Sequence, residues 1–180
     1  MTFDSKAPFV VLVTGLSGAG KTTLAKGVRR AFQQEGTPIL ILDGDDCRKT
    51  LCRDLSFSEA DREENLMRLG YMAELAVKSD ISVVISSIAP FEQARAKLKS
   101  YLDAHCRYYE IFLSASLSCC ADRDSKNLYA RQRKGRLANF TGFDSPYEKP
   151  DAPNLEIDTE HVGIEACITQ ALGLLCMQDS

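Results

Sequence analysis

The sequence predicts an α/β protein, a parallel β-sheet flanked by helices on both faces and so built in three layers. Two observations predict it. Short apolar, β-branched runs alternate with longer stretches whose apolar residues recur at helical spacing, the pattern of repeated β–α–β units. The chain has 180 residues, 44% hydrophobic and 26% charged, which fits one domain (1–180) with a core of its own.

Phe9 to Thr14 (FVVLVT) reads as a buried strand that ends at Gly15. Thr22 to Glu35 reads as a helix with Leu24, Val28 and Ala31 on one face and Gly36 as its stop. Pro38 to Leu42 (PILIL) is a second buried strand, followed by Asp43-Gly44-Asp45. Ser58 to Ser79 is the clearest helix, with Ser58 and Asp61 spaced as a capping box and Leu66, Leu69, Ala73 and Ala76 as its apolar face. Ile81 to Ile88 (ISVVISSI) is a third strand, and Pro90 stands where a helix can begin. Phe91 to His105 reads as a helix, Arg107 to Leu113 (RYYEIFL) as a fourth strand, and Leu117 to Asp122 as a short helix. Ser125 to Asp151 shows no period and is rich in Gly, Pro, Asn and basic residues, a length of irregular chain that usually carries function. Leu155 to Asp158 and His161 to Cys176 complete the alternation as a last strand and helix.

The same composition removes several classes. It is too apolar for a disordered chain and has no heptads. No apolar run approaches the roughly 20 residues needed to span a bilayer. Met1 to Pro8 lacks the charged start and long apolar stretch of a signal peptide, and Asp4 speaks against a transit peptide, so the expectation is a cytoplasmic protein. A net charge of -3 and a pI of about 5.5 argue against nucleic acid or an anionic membrane as a partner. The seven cysteines include no CxxC pair and no metal-site spacing, and read as reduced thiols, mostly small core fillers.

Gly15-Leu16-Ser17-Gly18-Ala19-Gly20-Lys21-Thr22 matches GxxxxGK[ST] in full, after a strand and before a helix as that motif requires. Its glycines let the backbone curl so that successive N–H groups point at phosphate oxygens, and the helix beginning near Lys21 aims its positive end at the same place. The Lys21 ammonium reaches the β and γ phosphates of a nucleoside triphosphate, and the Thr22 hydroxyl ligates Mg²⁺. The cation also needs a carboxylate. The third strand carries none, whereas the second ends in Asp43, with Asp45 two residues on, at the carboxyl edge of the sheet where ligands of such folds bind. An ordinary Asp-Gly turn is the alternative reading of that pair.

Neither DxxG nor NKxD, the marks of a GTPase switch, occurs in the chain. From Lys126 to Arg136 there are five basic residues and no acid (Lys126, Arg131, Arg133, Lys134 and Arg136). A solvated charge run is one reading. A basic lid over 125–150 is the other, since phosphoryl transfer needs cations around the equatorial oxygens and exclusion of water. Together these give a three-layer P-loop kinase fold with a basic lid segment.

At this point the chain resembles the adenylylsulfate kinase (APS kinase) family from about Phe9 to Glu160. The resemblance rests on GLSGAGKTT (Gly15–Thr23), LDGDDCR (Leu42–Arg48), RDLSFSEADREEN (Arg53–Asn65), SSIAPFEQAR (Ser86–Arg95), RDSKNLY (Arg123–Tyr129) and NFTGFDSPYEKP (Asn139–Pro150), in that order. It implies transfer of the γ-phosphate of ATP to the 3′-hydroxyl of adenosine 5′-phosphosulfate (APS), giving PAPS and ADP in sulfate activation. It implies that Gly15, Ser17, Gly18, Ala19, Gly20, Lys21, Thr22 and Thr23 hold ATP and that Arg123 flanks its adenine. Thr22 and Asp43 then hold Mg²⁺. Arg48, Phe57, Arg62 and Asn65 line the APS site, which Ile88, Ala89, Leu128, Phe140 and Thr141 complete, with Lys126 near the transferred phosphate. Asp45 is the candidate to orient or accept the 3′-hydroxyl proton, with Asp43 as the alternative. The resemblance also implies a homodimer and a functional partnership with an ATP sulfurylase.

The residue types suit these roles. Forked guanidinium donors at Arg48 and Arg62 match a phosphate–sulfate anhydride, and Phe57 and Phe140 can sandwich an adenine. Phe57 and Phe140 as core aromatics, and Arg62 as a solvated helix residue, are the plainer alternatives.

The chain departs from the family pattern at several places. Ala89 stands where many members have a serine linked to a phosphorylated enzyme form, so direct in-line transfer is expected here. Asp46 and Cys52 replace asparagines, Lys49-Thr50 replaces His-Gly, and Ser125 and Asn127 replace Pro and Gly. They leave room for another nucleotide-like acceptor, and a non-catalytic ATP-binding module is the third reading. Neither His105 nor His161 falls in a motif, and each reads as a surface or helix-end residue.

Overall fold

A computed structural model describes residues 7–124, 129, 132, 141–142 and 145–176. The strands β1 (Phe9–Thr14), β2 (Ile39–Asp43), β3 (Ser82–Ser86), β4 (Arg107–Ser114) and β5 (Leu155–Asp158) form one sheet in the order β2-β3-β1-β4-β5. Every pairing is parallel, with Val10 opposite Val83 and Tyr108, and Leu40 opposite Val83. All carboxyl ends therefore open on one edge, and β1 is the central strand.

The period of two along β1 divides the core. Phe9, Val11 and Val13 face one layer, where they meet Leu24, Ala25, Val28 and Phe32 of α1 (Lys21–Gln34) and Cys167, Ala171 and Leu175 of α6 (Ile164–Cys176). Val10 and Leu12 face the other, with Leu66, Leu69 and Ala73 of α3 (Glu59–Val77) and Ala94, Leu98 and Leu102 of α4 (Glu92–Asp103). The expected three layers follow. Ala31, expected on the buried stripe of α1, is only half-buried, and Phe32 takes the place beside it.

Helix ends follow local chemistry. Ser58 Oγ accepts from the backbone N–H of Asp61 at 3.2 Å, an N-cap worth about 1 kcal/mol. The reciprocal half of the capping box does not form, because the Asp61 carboxylate is engaged by the N–H of Ser56 and the hydroxyls of Ser56 and Ser58. At the other end of α1 the N–H of Gly36 reaches Gln33 O and that of Thr37 reaches Phe32 O, the paired bonds of a Schellman ending.

Several boundaries differ from the sequence reading; the last helix, for one, begins at Ile164 rather than His161. Asp43 closes β2 and its side chain caps a short helix α2 (Gly44–Cys47), where the sequence suggested a turn. β3 stops at Ser86 rather than Ile88, because Ala89 adopts a φ of 43° that no strand continues. Pro90 precedes α4 rather than starting it, and Phe91 is the N-cap position. Helix α5 (Leu117–Arg123) follows β4 as expected. All seven cysteines are free thiols, with Cys52, Cys120 and Cys167 buried. Among the described residues no helix is long and apolar enough to cross a membrane.

Candidate active site

A cleft of about 1240 Å³ runs along the carboxyl edge of the sheet. Its floor is the turn between β1 and α1. Gly18 sits at φ 86°, and a Cβ there would stand 2.6 Å from the carbonyl oxygen of Cys120, so only glycine fits. Gly20 is the N-cap position of α1 at φ 99°; no side chain caps this end, and the first turn carries no acid. The orphan amides of α1 and its positive pole are thus turned toward the cleft, the arrangement that binds an anion.

Lys21 Nζ arches back over the loop to the carbonyls of Gly15 (2.9 Å) and Leu16 (2.7 Å). Buried Tyr129 donates its hydroxyl to Ser17 O at 2.6 Å, and Thr159 Oγ1 donates to Ala19 O at 3.0 Å, so two elements remote in sequence hold the loop from outside. Burial pushes the Tyr129 phenol well above its ordinary pKa, which keeps it a donor.

Beside the loop, Thr22 Oγ1 donates to Asp43 Oδ2 at 2.7 Å, with Ser86 Oγ 3.3 Å from the same oxygen. The other Asp43 oxygen accepts from the N–H of Asp45 at 3.0 Å and caps α2. One hydroxyl and one carboxylate in contact beside an anion cradle are the hard oxygen ligands Mg²⁺ takes when phosphates and water fill the rest of its octahedron. Asp45 lies one step further along the cleft, exposed.

The far end of the cleft gathers Arg48, Phe57, Arg62, Asn65, Ile88, Ala89 and Thr141. Phe57 is 52% exposed, which sets aside the core-aromatic reading, and the guanidinium carbons of Arg48 and Arg62 lie 4.5 and 5.5 Å from its ring centre. Arg62 is not a free helix-face residue: its Nε donates to Phe57 O (2.9 Å) and its Nη1 to the hydroxyl of buried Thr141 (3.0 Å). Arg48 Nη1 donates to Ser56 O at 2.7 Å. Burial lowers the pKa of Arg48, while Cys52, Asp45 and Asp61 oppose the shift. Asn65 is 3% exposed and its Oδ1 has no hydrogen-bond partner among the described residues. Lys126, Leu128 and Phe140 lie outside the described residues.

At the opposite end, Arg123 Nη2 donates to Thr159 O at 2.6 Å, and 159–164 lines the cleft beside it. The sequence reading missed this β5–α6 turn, which no motif marks. His161, expected at the surface, is exposed but borders the cleft, and its Nδ1 lies 2.8 Å from Asp158 Oδ2. That bond raises the histidine pKa above 6.5 and lowers that of Asp158. The sign is that of a raised base: the pair's small contribution to stability is full below the unfolded value and fades as pH rises through the folded one. In an NMR titration His161 should show a midpoint above 6.5 that returns toward it in Asp158→Asn; an unshifted wild-type midpoint refutes the pairing.

Two departures from the family pattern form a pair: Lys49 Nζ and Asp46 Oδ1 lie 2.6 Å apart on the exposed rim. A third, Cys52, is fully buried and off the cleft.

The adenylylsulphate kinase family model matches residues 7–158. The chain belongs to the adenylylsulphate kinase family. An adenylyl-sulfate kinase of Geotalea uraniireducens is 44% identical over 161 residues, covering 89% of this chain and 77% of that protein. One from Synechococcus (strain JA-2-3B'a(2-13)) is 41% identical over 91% of this chain and 92% of its own. Among solved structures, the Mycobacterium tuberculosis APS kinase in complex with AMPPNP and APS superposes with a TM-score of 0.90 at 38% identity, covering 94% of this chain and 98% of that one. A Sinorhizobium meliloti gluconokinase, at 20% identity and TM-score 0.60, shares the fold alone. As a member of the adenylylsulphate kinase family the chain is a P-loop kinase and an enzyme.

Proposed function

We propose that the chain transfers the γ-phosphoryl group of ATP to the 3′-hydroxyl of APS, giving PAPS and ADP, by direct in-line displacement. The observation that carries this is the continuity of the cleft: the anion cradle and the Thr22–Asp43 pair stand between an Arg123 end and an Arg48–Phe57–Arg62–Asn65 end. Two nucleotides laid along it meet at the pair. The relative solved with AMPPNP and APS supports the same pairing of ligands.

ATP lies with its triphosphate on the loop amides and Lys21, and its base beside Arg123. APS lies with its base against Phe57, its anhydride toward Arg48 and Arg62, and a donor group against the unmet oxygen of Asn65. The 3′ oxygen forms a bond to the γ-phosphorus as the bond from that phosphorus to the bridging oxygen of ADP breaks. The hydroxyl proton passes to Asp45. Because the transition state is loose, alignment and neutralisation of charge supply the rate, and Lys21 and Lys126 supply that charge from the protein. Thr22 and Asp43 would hold Mg²⁺, which would supply further neutralisation of phosphate charge.

Ala89 has no hydroxyl, so no phosphoenzyme forms at the turn Ile88-Ala89-Pro90. A homodimer in the cytoplasm, supplied with APS by an ATP sulfurylase, completes the reading.

The test is ADP release by the purified chain with Mg·ATP and micromolar APS, beside AMP, ADP and adenosine as acceptors. APS-dependent release, with no stable label left on the protein by γ-labelled ATP, is expected. Preference for another acceptor overturns the substrate, and label on this turn overturns direct transfer.

A further inference from the structure

The turn Ile88-Ala89-Pro90, which forms one wall of the acceptor end, is held from behind at all three carbonyls. Thr14 Oγ1 at the end of β1 donates to Ile88 O at 2.6 Å, and accepts in turn from the hydroxyl of Tyr147 at 2.9 Å. Arg95 Nη1 of α4 donates to Ala89 O at 2.8 Å. The backbone N–H of Glu148 donates to Pro90 O at 2.8 Å, while the Glu148 carboxylate accepts from the N–H of Glu92. The turn needs such support, because Ala89 sits at φ 43°, where a residue with a Cβ does not stay unaided.

Arg95 is the unusual member of this set. It is 1% exposed, the largest fully buried side chain among the described residues, and buried guanidinium groups are costly. Glu110 Oε1 lies 3.1 Å from its Nε without hydrogen-bond alignment, and Glu92 pairs with its Nη2. A hydrocarbon side chain would fill the same space at less cost, but it could not donate to Ala89.

We propose that Arg95 is a positioning residue for the acceptor: by holding the Ala89 carbonyl it keeps Ala89 left-handed, so that Ile88 and Ala89 present a fixed wall to the bound nucleotide. The proposal rests on the reading that this end of the cleft takes APS. Arg95 touches neither substrate; it acts through the backbone of the turn, which places its effect on acceptor binding and not on the ATP end.

The test is steady-state kinetics of Arg95→Met combined with Glu110→Gln, which removes both buried charges together and leaves only the solvent-exposed Glu92 carboxylate without its Arg95 partner. KM for APS should rise about tenfold or more while KM for ATP changes less than about twofold, the scale on which small misplacements act. Adding Ala89→Gly to that variant should recover APS affinity several-fold, because glycine takes a positive φ without help. If the combined variant does not fold, Arg95→Lys, which keeps the charge and loses the fork, is measured in the same way and decides. An unchanged KM for APS, equal losses toward both substrates, or no recovery on adding glycine overturns the proposal. A wild-type chain that releases no ADP on APS instead overturns the reading of the site.

Discussion

Replacement of Lys21 by alanine is expected to leave a folded protein without useful turnover. The shape of the phosphate loop does not depend on the ammonium. It is set by left-handed glycines, by Tyr129 on Ser17 O and by Thr159 on Ala19 O, none of which the substitution touches. What is lost in the resting protein is a pair of hydrogen bonds from a half-buried side chain to Gly15 O and Leu16 O, worth about 1 kcal/mol each. A change of that size moves the melting temperature by a few degrees in a domain of this length. In the proposed transition state the same ammonium faces charge developing on the γ-phosphoryl oxygens inside a cleft, where removal of a single preorganised donor typically costs about 10²–10³-fold in kcat. The measurements are APS-dependent ADP release and a thermal melt on one preparation. Near-normal turnover would end the assignment of this loop to the triphosphate, and a collapsed melt would mean that Lys21 holds the fold.

Much of this site could be read from the sequence because its chemistry is local. The P-loop is one contiguous segment whose glycines, lysine and threonine each answer to a separate requirement, and the strand ending in Asp43 declares its position by four apolar residues before an acid. The layers were legible for a similar reason: alternation of strand and helix fixes a parallel sheet before any contact is known.

What could not be read is what depends on meetings between distant segments. Arg62 reads as an exposed helix residue until the chain from far downstream brings Thr141 within 3.0 Å of it. Arg95 lies in a recognisable stretch, but what ties it to the turn is a main-chain carbonyl, and backbone acceptors leave no mark in composition. The turn 159–164 holds no glycine-rich or charged signature and becomes part of the cleft only because β5 ends beside β4. The short helix α2 escaped because its four residues are too few for periodicity, although its cap, Asp43, had been singled out for another reason.

That double duty of Asp43 makes a second large effect separable into two parts. One carboxylate oxygen accepts from Thr22 and the other from the N–H of Asp45, so the side chain serves the proposed cation and the start of α2 at once. Asparagine caps a helix nearly as well as aspartate but brings no charge to a divalent ion. Asp43→Asn should therefore melt like the wild type, need more Mg²⁺ to reach half-maximal rate, and lose about 10²-fold or more in kcat, on the scale of other lost transition-state electrostatic contacts. Asp43→Ala should lose as much activity and also the cap, about 1 kcal/mol, seen as a melting temperature lower by a few degrees. Asp45→Asn is the necessary companion. If Asp45 serves the acceptor proton and Asp43 the metal, Asp45→Asn lowers kcat without moving the Mg²⁺ requirement. A Mg²⁺ requirement that shifts in Asp45→Asn and stays put in Asp43→Asn would reverse the two roles, and with them the reason that the Thr22–Asp43 contact marks where the phosphoryl group moves.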